Sequence, residues 1–216
     1  MSSAYLRDLV TRERMTAAHY LANSWVLGHI PETKDPGSYV MDFGCNRSIL
    51  PMIMADRGHK VFALDRTAYV HELQKNLREQ HQCKNNWTTM YWDSEESGRH
   101  VPVSHSTLNI VTAVWAIQHN EFKTQKAIIK ELVDSLKPEG VLLVVSSYCP
   151  GGMFHDKNRQ DPQWRVGPDE LTQLIAESSC ELEESKYFWY EHNTVDGEWC
   201  DPQHAVAVAY KLRKSC

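Results

Sequence analysis

Long apolar runs are missing from this sequence. No stretch approaches the roughly 18 residues needed to span a bilayer, so a membrane role is not expected. The opening residues, MSSAYLRDLVTRER, carry scattered charges and lack the uninterrupted apolar stretch of a secretory leader. Cysteine has no paired pattern: Cys45, Cys83, Cys149, Cys180, Cys200 and Cys216 are widely spaced, and no CxxC occurs. In a chain of 216 residues, long enough to bury its own core, these read as reduced thiols of a cytoplasmic protein. Nor do basic residues predominate. Lys and Arg number 23 against 28 Asp and Glu, a formal net charge of −5, which argues against a nucleic-acid partner. Arg12, Arg14, Lys211, Arg213 and Lys214 are the nearest thing to a basic patch and read as solvated surface. Among the 11 histidines no HxxxH spacing occurs, so no structural zinc site is expected, and no pattern supports a metal at an acceptor site. Internal repeats, low-complexity tracts and Ser/Gly linkers are absent too.

What is present is alternation of strand and helix signals. An amphipathic helical pattern runs from about Ala4 to Leu27 and stops before Pro31. The segments Tyr39–Phe43, Val61–Leu64, Thr88–Tyr91, Leu108–Val114 and Val141–Ser146 read as strands. Helical segments at about Ile49–Arg57, Tyr69–Gln80 and Glu121–Leu136 lie between them, the first closing at Gly58 and the last followed by an LKPEG turn. Asp169–Glu177 is a further helix, and Tyr187–Tyr190 and Ala205–Leu212 are two final strands. Such alternation predicts an α/β fold with a doubly wound, mostly parallel sheet of seven strands and an N-terminal helical cap. Ligands of such sheets bind off the carboxyl ends of the strands.

Three of those ends carry an aspartate: Asp42, Asp65 and Asp93. The loop after the first strand, Gly44-Cys45-Asn46-Arg47-Ser48, has small residues that let backbone approach a ligand, and it leads into a helix. Asp65 follows Asp42 by 23 residues, the spacing at which a carboxylate can accept both hydroxyls of a ribose. A dinucleotide fingerprint is excluded, because Asn46 and Ser48 stand where that loop needs glycine. Asn46 tolerates left-handed backbone angles, and Ser48 can cap the helix.

The segments VMDFGC, FALD, MYWD, LNIVTAVWAIQH and LKPEG followed by VLLVV appear in that order between Tyr39 and Ser147. On these the chain resembles the class I S-adenosylmethionine-dependent methyltransferases, particularly their small-molecule branch, with a Rossmann-like fold. The resemblance implies S-adenosyl-L-methionine as cofactor and S-adenosyl-L-homocysteine as product. It implies that Asp42 meets the cofactor's amino group and that the backbone of Gly44, Cys45 and Asn46 passes the methionine part. Ala113, Val114 and Trp115 would line the same part, Asp65 would hold the ribose with Arg66 beside it, and Asp93 would hold the adenine amino group. Trp92 could pack on the base or in the core. The whole of 1–216 is then one domain: a helical cap and loop over 1–38, a cofactor-binding core over 39–147, and an acceptor side over 148–216.

Methyl transfer needs alignment and exclusion of water, and a base only where the acceptor must lose a proton early. His119 is the first candidate for that base, and His155, with Asp156, the second. Tyr20, Trp25, Tyr148, Phe154 and Trp164 could line an apolar pocket for a small-molecule acceptor, core packing being the alternative for Tyr20 and Trp25. Two other readings stand beside this one. The fold could serve another transfer from the same cofactor, or persist in a non-catalytic, partner-binding subunit. Oligomeric state is left open.

Overall fold

The computed structural model describes residues 17–46, 48–79, 86–93, 100–157, 163–189, 198–200 and 202–215. Helix α1 (Ala17–Gly28) precedes β1 (Tyr39–Phe43), α2 (Leu50–Asp56), β2 (Lys60–Asp65), α3 (Ala68–Glu79) and β3 (Trp87–Tyr91). Then come β4 (Leu108–Val114), a 3-10 turn at Ile117–His119, α4 (Phe122–Ser135) and β5 (Leu136–Ser147). A hairpin of β6 (Phe154–Asp156) and β7 (Gln163–Arg165), then α5 (Pro168–Glu177), β8 (Cys180–Trp189), β9 (Glu198–Cys200) and β10 (Ala207–Lys214) complete the order.

The main sheet runs β3-β2-β1-β4-β5-β10-β8-β9. Strands β1 to β5 are mutually parallel, while β10 lies antiparallel to both β5 and β8. The seven expected strands are therefore all in it, and the three-residue β9 adds an eighth at the edge. Helices cover both faces. Leu50, Ile53, Met54 and Val70 of α2 and α3 pack on one face with Ala22, Trp25 and Val26 of α1. Ile128, Ile129, Leu132 and Val133 of α4, with Leu171 and Leu174 of α5, pack on the other. The apolar stripe read from the sequence of α4 is thus its buried face.

Differences from the sequence reading fall where local pattern is weakest. The LKPEG segment does turn, but inside β5: Leu108 pairs with Leu136 and Ile110 with Val141, so the intervening residues bulge, with Glu139 at φ 64°. The β6–β7 hairpin and β9 were not expected, because strands of three residues show no period. Of the expected N-terminal cap, residues 1–16 lie outside the described residues, and α1 is a helix of the sheet's own flank. Arg57, at the end of α2, donates to the Leu27 and Ile30 carbonyls and so satisfies the close of α1. No described helix is long and apolar enough to cross a membrane.

Candidate functional site

The strand order reverses between β1 and β4, and the crevice at such a reversal is where open α/β sheets bind ligands. Asp42 of β1 and Thr112 of β4 are paired neighbours there. The Asp42 side chain is 1% exposed. Its Oδ1 accepts from Thr112 Oγ1 at 2.6 Å, while Oδ2 is buried and has no hydrogen-bond partner. Burial raises its pKa from 3.8 to about 7, the Thr112 hydrogen bond works against that rise, and the nearby Asp65 charge adds to it. A buried carboxylate oxygen without a partner is costly unless something cationic or hydrogen-bonding completes it.

The loop that follows is closely built. Gly44 has φ +64°, and a Cβ on it would lie 2.4 Å from Ala116 Cβ, so glycine is required twice over. Asn46 adopts φ 43°, the left-handed conformation expected of it. Ser48 Oγ accepts from the Leu50 amide at 3.0 Å, although the N-cap position of α2 is Ile49 and not Ser48. Cys45 N donates to the Leu64 carbonyl at 2.9 Å, and its thiol, buried beside Asp42 and Asp65, is pushed well above its usual range. Asp65 closes β2 with Oδ2 accepting from Asn46 N and Oδ1 from Thr67 N, both at 2.9 Å. Each oxygen so engaged keeps a second acceptor direction. The Asp65 carbonyl takes the Trp92 amide at 3.1 Å, which brings the end of β3 and Asp93 alongside. Arg66 is exposed beside Asp65.

Sequence reasoning missed two residues of this site. Thr112 is one, hidden as an ordinary β-branched strand residue. Gln74 of α3 is the other: fully buried, it donates through Nε2 to the carbonyls of Asn46 at 2.7 Å and Ser48 at 2.9 Å. A lone glutamine on a helix carries no local signal of that role.

Beyond the carboxyl end of β4, the Ile117–His119 turn packs against β7 of the β6–β7 hairpin, and both contact β5. His119 Nε2 donates to the Trp115 carbonyl at 3.1 Å, which fixes the ring's orientation. Trp115 itself has φ +57°, a strained conformation for a bulky residue and one that clusters at functional sites. His155 stacks on Trp164 across the hairpin, with ring centroids 4.0 Å apart and 7° between planes. The Trp164 carbonyl accepts from buried Gln125 of α4 at 3.4 Å. Phe154 is exposed at the hairpin's start.

Of the expected site residues, Trp25, Tyr148, Trp92 and Ala113 have buried side chains, core packing having been one of the two open readings for Trp25 and Trp92. Trp25 lies against the sheet face and donates from Nε1 to Glu184 of β8 at 3.1 Å, so it packs the core rather than lining an acceptor pocket. Tyr148 is 2% exposed and set edge-on against Tyr187. Trp92 is 5% exposed, edge-on to Phe43, with its indole donating to the His100 carbonyl at 2.6 Å; no open ring face is left for a base. Ala113 is fully buried within β4, whereas Val114 and Trp115 after it are half-buried. For Trp25, Tyr148 and Trp92 the reason is shared: large aromatic side chains are taken up by core packing. The side chains of Tyr20 and Asp156 lie outside the described residues.

Residues 41–144 match the family model described as a methyltransferase domain. Several solved structures share the fold. An S-adenosylmethionine-dependent methyltransferase from Methanosarcina mazei is 14% identical, with 88% of this chain and 97% of that chain covered and a TM-score of 0.67. A 1,6-didemethyltoxoflavin-N1-methyltransferase from Burkholderia thailandensis, solved with its substrate and S-adenosylhomocysteine, is 13% identical over 99% of this chain and 85% of that one, TM-score 0.71. Geranyl diphosphate C-methyltransferase from Streptomyces coelicolor, solved with Mg2+, geranyl diphosphate and S-adenosyl-L-homocysteine, is 11% identical over 99% and 83%, TM-score 0.71. No curated protein sequence matches the chain.

Proposed function

We propose that this chain, whose residues 41–144 match a methyltransferase domain and whose fold is that of S-adenosylmethionine-dependent methyltransferases, is a class I enzyme of that kind and methylates an O, N or S nucleophile of a small molecule. The observation that carries the reading is the partnerless Oδ2 of buried Asp42 beside the left-handed Gly44 loop. Burying that carboxylate is unfavourable for the empty protein and is offset when an ammonium group binds there. The residues at the three strand ends fit the cofactor. Asp42 takes its amino group, the Gly44–Asn46 backbone its methionine part, Asp65 its ribose hydroxyls and Asp93 its adenine edge.

When bound, the cofactor supplies a methyl group on a sulfonium, ready for in-line displacement by the acceptor. The protein's work is positioning and the exclusion of water. The β6–β7 hairpin and the Ile117–His119 turn close over the acceptor, and Phe154 and Trp164 offer it apolar surface. His119 Nδ1 takes the acceptor's proton, its ring held by the Nε2 bond to the Trp115 carbonyl. A small acceptor accords with the acidic net charge of the chain. It accords too with the small substrates named for the toxoflavin and geranyl diphosphate enzymes.

The test has two parts. Calorimetric titration with S-adenosylhomocysteine should give saturable binding to one site, and labelled cofactor should pass its methyl to a component of a metabolite extract. Labelling of nucleic acid or protein instead would overturn the small-molecule reading. His119→Ala should lower kcat by roughly 100-fold or more while the affinity for S-adenosylhomocysteine holds. An unchanged kcat would remove the histidine base.

A further inference from the structure

His100, His105 and Glu131 come together on the face of the molecule formed by the β3–β4 connection and α4. Their ligand-capable atoms all lie within 4.8 Å of one another. His100 Nδ1 and Glu131 Oε2 are 3.2 Å apart. That is about the edge of a tetrahedron whose ligands sit roughly 2.0–2.1 Å from a central zinc ion. An ordinary histidine–carboxylate pair would account for His100 and Glu131 alone. It does not account for His105, whose side chain has no hydrogen bond or ion pair among the described residues yet stands over the same point.

The backbone around the cluster is tied down. The His100 carbonyl accepts from the indole of buried Trp92 at 2.6 Å. Beyond His105, the amides of Ser106 and Thr107 donate to the carbonyls of Asp134 and Ser135 at 3.0 and 2.9 Å. Glu131 is on α4, whose opposite face is buried in the core. The backbone that carries His100 and His105 is therefore anchored close to α4, which carries Glu131. Two imidazoles and one carboxylate suit a borderline divalent ion such as Zn2+, with water completing four-coordination.

We propose that His100, His105 and Glu131 form a site for a divalent transition-metal ion of the zinc class, stapling the β3–β4 connection to α4. Sequence spacing alone conceals it, because the third ligand is 26 residues beyond the second in a different element. None of the three residues is among those assigned to the cofactor, so zinc binding and cofactor binding can be tested separately.

The test uses the full chain freed of metal by chelation and titrated calorimetrically with zinc chloride. One ion per chain should bind, His105→Ala and Glu131→Gln should each weaken binding at least tenfold, and the far-UV circular dichroism of both variants should match wild type. Cobalt substitution should give a tetrahedral visible spectrum without a thiolate charge-transfer band. Absence of saturable zinc binding, affinity unchanged in both variants, or a thiolate band pointing to the cysteines would each overturn the proposal.

Discussion

Asp42 carries the sharpest consequence of a single side chain. Its carboxyl is raised from 3.8 to about 7 because burial penalises the charge. The sign follows from linkage. Below about pH 4 the group is protonated both folded and unfolded, and the penalty is nil. Between about pH 4 and 7 the unfolded chain ionises and the folded one does not, so stability falls, and above about 7 the loss is complete. Asp42→Asn should therefore stabilise the empty protein by a few kcal/mol at about pH 8 and change little at about pH 4. Urea unfolding at the two pH values checks this, and a gain independent of pH would contradict it. Affinity for S-adenosylhomocysteine should rise with pH toward 7 as the carboxylate becomes available, and the Asn variant should lose that slope. Asp65→Ala should cost the same ligand roughly 1–3 kcal/mol through lost ribose hydrogen bonds. Unchanged affinity in calorimetry would mean that Asp65 is not the ribose acid.

Between the elements, the loop after β1 is held from three sides: by β2 through Cys45, by α3 through Gln74, and by the end of β4 through contact with Ala116. Gly44→Ala places a methyl 2.4 Å from the Ala116 Cβ at φ +64°, so an unfolding free energy lower by roughly 1–3 kcal/mol is expected in urea. Gln74→Leu keeps the volume but leaves the Asn46 and Ser48 carbonyls without their donor. Faster amide exchange in the loop, with weaker cofactor binding at little change in acceptor KM, is the outcome that marks Gln74 as a positioning residue. Uniform destabilisation without local exchange would assign it to packing alone.

At the scale of the molecule, two helical layers share one sheet, and the proposed cofactor site joins β1, β2, β3 and β4. Ligand bound at that site should therefore stabilise the whole chain as one unit. S-adenosylhomocysteine at about 100 times its Kd contributes about 2.7 kcal/mol, or roughly 5–10 °C in Tm for a chain this size. A single calorimetric transition that moves as a whole would accord with one domain over 1–216, whereas movement of only part of a split transition would argue for two.

How much of this was legible in advance depends on whether the signal was local. The order of strands and helices was, since each element carries its own period. So was the cofactor loop, where Gly44, Asn46 and Ser48 each answer a backbone demand made by their immediate neighbours. Contacts between distant segments were not. The Thr112–Asp42 bond joins residues 70 positions apart, Gln74 reaches the loop across 28 and 26, and Glu131 meets His100 across 31. Trp25, Tyr148 and Trp92 have the composition of a binding pocket but went to the core, because large apolar side chains gain most where water is excluded completely. The sequence by itself determined the sheet and the three aspartates at its strand ends, through periodicity and turn chemistry. Only the tertiary structure decided which side chains hold those aspartates and that loop in place, because burial and partnership are made by packing.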